Sequence, residues 1–156
     1  MPEMDRDEAR RRFGAARIAR LATVDVEGRP HLVPVVFARR EDVIVMAVDG
    51  KPKRSQALKR LRNIEVNPPV CLLADGYDED WNRLWWARAD GAARVLPPDA
   101  VEPETRDEYT AAIALLWRKY AQYRERSPDG PVTVVTVQRW SGWRAASGNK
   151  AAGPAG

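Results

Sequence analysis

Residues 18–48 read IARLATVDVEGRPHLVPVVFARREDVIVMAV. Ile18–Val24 is short, rich in β-branched residues and followed by Glu27-Gly28, a turn signal. His31–Ala38 predicts a second strand, Arg39–Asp42 the next turn, and Val43–Val48 a third strand. The third is apolar almost throughout, which predicts burial on both faces. Parallel strands need crossovers of a dozen or more residues, and these connections are turns, so the pairing is antiparallel. Pro34 cannot donate to a ladder and places the second strand at an edge or a bulge.

Working outward, Asp5–Arg17 predicts a helix, with Asp5 as N-cap and Ala9, Phe13 and Ala16 on one face. Downstream, Ala57, Leu58, Leu61 and Ile64 recur at helical spacing from Arg54 until Asn67-Pro68-Pro69 stops them. Val70–Ala74 predicts a fourth strand and Leu84–Val95 a fifth, bent at Gly91. Thr105 with Glu108 predicts a capping box for a helix over Arg106–Tyr123, and Val132–Gln138 a final strand. The fold class that follows is mainly β (α+β): an antiparallel six-stranded split β-barrel with accessory helices. It occupies one domain over residues 1–146, and the small, Gly-rich stretch 147–156 predicts a disordered tail.

The 156 residues suit one domain, with 44% hydrophobic and 31% charged residues as in globular chains. No apolar run reaches the roughly 18–20 residues of a membrane span, so no membrane partner is expected. The start, Met1-Pro2-Glu3-Met4-Asp5, lacks a signal pattern, and a lone Cys71 cannot form an internal disulfide. A cytoplasmic setting is the expectation. One His and one Cys exclude a zinc site of His/Cys type. Asp75, Asp78 and Asp80 miss calcium-loop spacing, since Arg83 stands where glycine should and Ala89 where the bidentate glutamate should. No metal is expected, and the acids suit turn and capping roles.

Side-chain catalytic signatures are missing, and His31, the single histidine, has no marked nucleophile near it, so no catalytic residue is assigned. The net charge of +4 conceals a block, KPKRSQALKRLR over residues 51–62, with six cations and no acid. Lys51, Lys53 and Arg54 precede a helix N-terminus, where unpaired N–H groups and the dipole favour an anion. That suits one phosphate group better than a nucleic-acid groove, and nucleic acid is not an expected partner; Lys59, Arg60 and Arg62 are equally consistent with a solvated helix face. Six tryptophans are many for this length. Trp85 and Trp86 are adjacent on a strand, one facing in and one out. Trp140 and Trp143, near the chain end, suit a dimer interface or a planar ligand.

The stretches ARLATVDVEGRPHLVPVVFA, AVDGKPKRSQALKRLRNIEVNPPVCLL, RLWWARADGAARVL and RWSGW, in this order, resemble the pyridoxamine 5′-phosphate oxidase-like split-barrel family. They are most similar to its branch of deazaflavin (coenzyme F-420)-dependent oxidoreductases. The resemblance implies a homodimer with two cofactor sites at the subunit interface. It lays the backbone of Pro34, Val35, Val36 and Phe37 along the cofactor ring and sets Ala47 and Val48 over the sugar-like chain. Lys51, Lys53 and Arg54 match the family's phosphate-binding turn, with Ser55 adding a hydroxyl. Trp85, Trp86, Trp140 and Trp143 become the wall near the partner subunit. Flavin-binding members usually carry a lysine where this chain has Phe37, which disfavours FMN and leaves room for the deazaflavin. Surplus charge at Lys59, Arg60 and Arg62 agrees with an acidic cofactor tail.

The implied activity is hydride transfer from reduced deazaflavin to an unsaturated or conjugated small molecule. The alternatives are an FMN-dependent oxidoreductase, and a non-catalytic binder of flavin, deazaflavin or tetrapyrrole.

Overall fold

Asp5 opens the first helix: its carboxylate accepts the Glu8 N–H at 2.8 Å, as an N-cap should. That helix, α1 (Arg6–Ala15), buries Ala9 and Phe13, the face its spacing predicts. The computed structural model describes residues 3–48 and 54–146, excepting the side chains of residues 54–58. The expected tail, 147–156, lies outside the described residues.

After α1 come β1 (Ala19–Val24), β2 (Pro30–Val35), β3 (Ala38–Arg40), β4 (Val43–Ala47), α2 (Arg54–Val66) and β5 (Pro69–Gly76). β6 (Trp85–Leu96), α3 (Pro103–Lys119), α4 (Ala121–Glu125) and β7 (Val132–Arg144) complete the described chain. The strands form one antiparallel sheet in the order β2-β1-β5-β6-β7-β4-β3. The described residues hold seven strands, not six, because the run expected as His31–Ala38 breaks at Val36–Phe37. Its first part pairs with β1 and its second with β4, so the two edges of the curled sheet are halves of one chain segment. They are joined covalently, without a hydrogen-bonded seam, which is the split of the barrel. Pro34 sits on the edge strand β2, as its missing N–H requires.

Gly28, at φ +82°, turns β1 into β2 in a conformation glycine adopts at no steric cost. The long hairpin β6–β7 runs from Trp85↔Arg144 to Leu96↔Val132 with a register shift between Asp90 and Gly91, the bend expected there. A side chain at Gly91 is impossible without movement, since a Cβ would stand 2.2 Å from the Thr136 carbonyl oxygen.

Two apolar clusters explain why β4 is buried on both faces. Ile44 and Met46 point into the barrel with Phe13, Leu21, Phe37, Leu72, Val135 and Trp140. Val45 and Ala47 point outward onto Ala112 and Leu116 of α3, with Val132 and Val134. α3 starts at Pro103 with Glu102 at the N-cap position, not at the expected Thr105 box. Proline is pre-set for the first helical turn and wins over the box. The single helix expected to Tyr123 is broken at Tyr120, whose extended backbone separates α3 from α4. No helix among the described residues is long and apolar enough to cross a membrane.

Candidate cofactor site at the split

The Ala38↔Val45 pairing, if continued, would set Val36 against Ala47. The ladder stops instead, leaving the ends of β2 and β4 unpaired with each other, the two lips of the split. Of the lip residues, Val35 and Ala47 are buried, Phe37 is wholly buried, and Pro34 and Val36 are exposed. Val48 is fixed by its N–H, which donates to the Pro131 carbonyl at 2.9 Å. Gly130 allows that approach, since a Cβ there would meet the Val48 oxygen at 2.3 Å.

Phe37 turns its ring into the core, 4.8 Å from that of Phe13. It therefore offers no polar side-chain contact to the gap. Its N–H donates to the Tyr120 hydroxyl at 3.1 Å, and that hydroxyl lies 2.8 Å from the Phe37 carbonyl and 3.0 Å from the Arg17 carbonyl. Next to it, Lys119 Nζ donates to the carbonyls of Gly14 and Ala16 at 3.2 and 2.7 Å and stands 3.8 Å over the Phe37 ring. Burial pushes the Lys119 ammonium down to about 8, helped by Arg17 and Arg39. Neither Lys119 nor Tyr120 is singled out by sequence. Only their place before a helix break hints at a role.

The basic stretch follows the β4 lip directly. Lys51 and Lys53 lie outside the described residues; Arg54 and Ser55 begin α2, and their side chains lie outside them too. The helix is anchored by its second half, where Leu61 and Ile64 are buried and Asn63 Nδ2 donates to Thr23 Oγ1 at 3.0 Å. Asn67 Nδ2 adds bonds to the Val24 and Asp25 carbonyls. Lys59 and Arg62 are exposed, and Arg60 is half-buried, its guanidinium pKa lowered by that burial. Lys59 already has an acid in its field: Asp25 is held below the usual carboxylate range by the Arg29 N–H, with the Glu27 N–H and the Lys59 charge assisting. His31, opposite Thr23 on β2, has a buried Nδ1 with no hydrogen-bond partner. An unsatisfied polar atom on a lip strand is the kind of cost that a group completing the site removes.

The tryptophans separate into two settings. Trp140, expected to be exposed, is 5% exposed, packs on Phe13 and donates its Nε1 to Asp42 at 2.9 Å. It is a core residue, fixed by that bond. Trp143 is half-buried with an unpartnered, buried Nε1. It pairs across the ladder with Trp86, and with Trp85, Leu73, Leu84 and Tyr77 lines a cavity of about 390 Å³. Neither Trp85 nor Trp86 is fully in or out; both are half-buried. This cavity is close to the β2 lip and away from the β4 lip: Pro34 pairs with Arg20, and Arg20 with Leu73 of the cavity wall. Ala47 of the β4 lip pairs with Val132 and so with Leu96, at the opposite end of β6 from Trp85.

The acidic loop is spent on turns. Asp78 accepts the Asp80 N–H at 2.7 Å and Asp80 the Asn82 N–H at 3.1 Å, while Arg83 faces Asp78.

Solved structures share this fold. A FAD-binding protein from Mesorhizobium loti has a TM-score of 0.69 at 18% identity, over 92% of this chain and 97% of its own. The FAD-binding protein from Mycobacterium smegmatis has 0.62 at 14% identity, over 93% and 98%. HutZ, the haem storage protein of Vibrio cholerae, has 0.63 at 17% identity, over 90% and 95%. No curated protein matches the chain. The family model described as pyridoxamine 5′-phosphate oxidase matches residues 6–144, and the chain belongs to that family.

Proposed function

We propose that the chain is a deazaflavin (coenzyme F-420)-dependent oxidoreductase acting on an unsaturated or conjugated small molecule, with FMN as the alternative cofactor. The observation that carries this reading is the split: two strand ends part at Val36 and Ala47–Val48, and α2 begins at Arg54, a few residues further along a basic stretch of sequence. In it, the backbone of Pro34–Phe37 and the residues Ala47 and Val48 flank the ring and its chain. Lys51, Lys53, Arg54 and Ser55 hold the phosphate, where charge-assisted bonds and helix N–H groups act together. The buried, apolar Phe37 supplies no cation beneath the ring, which favours the deazaflavin over FMN. Arg60 and Arg62 suit an acidic tail better than Lys59, which Asp25 partly neutralises. The bound cofactor supplies the hydride; the protein contributes orientation and exclusion of water.

A homodimer completes the site. In this reading Trp85, Trp86 and Trp143, which line a cavity of their own, wall the partner's gap across the subunit interface. Trp140 acts only as their support. α3 covers the outer face of β4 and β7, but the outer face of β2, β1 and β5, with Leu32, Ala22, Cys71 and Leu73, has no helix over it among the described residues. That apolar surface is where the second copy fits.

Two solved relatives bind FAD and one stores haem, so a non-catalytic carrier is the competing class. For haem, an axial donor is needed; the one histidine, His31, buries its Nδ1. Fluorescence titration with deazaflavin, FMN, FAD and haem, followed by incubation of reduced deazaflavin with conjugated acceptors, separates these readings. The expected result is tightest binding of deazaflavin and acceptor-dependent loss of its reduced form. Binding without turnover on any acceptor tried would make it a carrier, and preference for haem would discard the flavin-type reading.

A further inference from the structure

A strand that breaks in the middle of an apolar run leaves backbone polar groups without ladder partners. At Phe37 a single side chain takes up that loss. The Tyr120 hydroxyl accepts the Phe37 N–H and lies within donating reach of the Phe37 and Arg17 carbonyls. It comes from the turn between α3 and α4, 83 residues further along the chain. Lys119, one residue earlier, sits on the Phe37 ring and on the last carbonyls of α1. The break is therefore clamped from both sides, by hydroxyl on its backbone and by ammonium on its ring.

We propose that Tyr120 is a positioning residue for the cofactor: its hydroxyl sets where the β2 lip stands relative to the β4 lip. This rests on the reading that the cofactor ring lies along Pro34–Phe37. Without the hydroxyl the Phe37 N–H is free to seek another partner and the lip loses its fixed angle. The ring would then bind in a looser pose, with altered contacts along its edge. The aromatic ring of Tyr120 packs beside Tyr123, 5.8 Å between centroids, so Tyr120→Phe keeps the packing and removes only the hydroxyl.

The test compares native protein, Tyr120→Phe and Asp5→Ala, which removes the N-cap of α1 at the end away from Tyr120, as a control for general destabilisation. Each is titrated with deazaflavin and with FMN, and the visible absorption band of the bound cofactor is recorded. Tyr120→Phe is expected to weaken binding about tenfold, the worth of one well-made hydrogen bond, and to shift the bound cofactor's band. Asp5→Ala should change neither. Tyr120→Phe that folds, binds as native protein does and leaves the band in place overturns the positioning role. If Tyr120→Phe does not fold, hydrogen exchange on native protein decides. The Phe37 amide should be protected before cofactor is added and more so after, and a fast-exchanging Phe37 amide overturns the proposal. Native protein that binds neither cofactor overturns the underlying site reading instead, and the positioning role with it.

Discussion

Asp42 gathers three donors at once: Trp140 Nε1 at 2.9 Å, Arg10 at 3.1 Å and Arg6 at 2.8 Å. The indole bond, with the arginines behind it, holds its carboxyl below the usual range. Asp42→Ala would strand a buried indole N–H, a loss of about 1–3 kcal/mol, readable by urea unfolding; Asp42→Asn, which keeps an acceptor, should lose less. Equal stability of native protein and Asp42→Ala would show that Trp140 is held by packing alone. Lys119 gives a pH signature. Its folded pKa is about 8, against roughly 10.4 in an unfolded chain. Between these values the unfolded chain binds the proton and the folded one does not, so this group makes folding more favourable as pH rises. Below about 8 the buried ammonium is charged in both states and carries its desolvation cost, faced by Arg17, Arg39 and the Tyr120 ring. Native protein should therefore gain stability over Lys119→Met as pH is raised from 8 towards 10. A constant difference across that range would mean that Lys119 titrates as an ordinary lysine.

Among the elements, the strands with turn residues between them were legible, and those without were not. Glu27-Gly28 marks the β1–β2 turn, and Gly28 does adopt the left-handed backbone that such a turn uses. The stretch HLVPVVFA carries one breaker, Pro34, which marks an edge or a bulge but not the break at Val36–Phe37, where the Phe37 N–H turns to the sequence-distant Tyr120 hydroxyl. β7 outruns its expected end at Gln138 because its polar continuation to Arg144 is paired with β6. Trp140 looked like surface because the chain end nearby is small and polar; Asp42, distant in sequence, makes it core. The bend at Gly91 was legible from the glycine itself. Gly91→Ala should lose roughly 1–3 kcal/mol, the usual range for overpacking, since the obstructing atom is backbone and cannot swing aside. Unchanged denaturation midpoints for Gly91→Ala would contradict the close approach to Thr136.

At the scale of the whole molecule, Pro34–Phe37 and Ala47–Val48, expected along the cofactor, fall at the ends of β2 and β4, while the shared cavity of Trp85, Trp86 and Trp143 was not legible. Sequence order puts Trp85 near nothing in particular; only the ladder shows that it stands at the far end of β6. For the proposed homodimer, sedimentation should find a dimer at micromolar concentration. Leu32→Arg, on the uncovered face, should shift it to monomer and weaken cofactor binding together; a native monomer would remove the interface site. The central claim, a phosphate-bearing flavin-type cofactor held at the split and the basic turn, is tested most directly by one comparison. Native protein and Lys53→Ala/Arg54→Ala are titrated side by side with deazaflavin and with FMN by fluorescence. The double substitution should weaken both by about 3 kcal/mol or more, at roughly 1.5–3 kcal/mol per charge-assisted bond, with the thermal midpoint nearly unchanged. Binding of both cofactors as tight as in native protein would place the phosphate elsewhere and contradict the site.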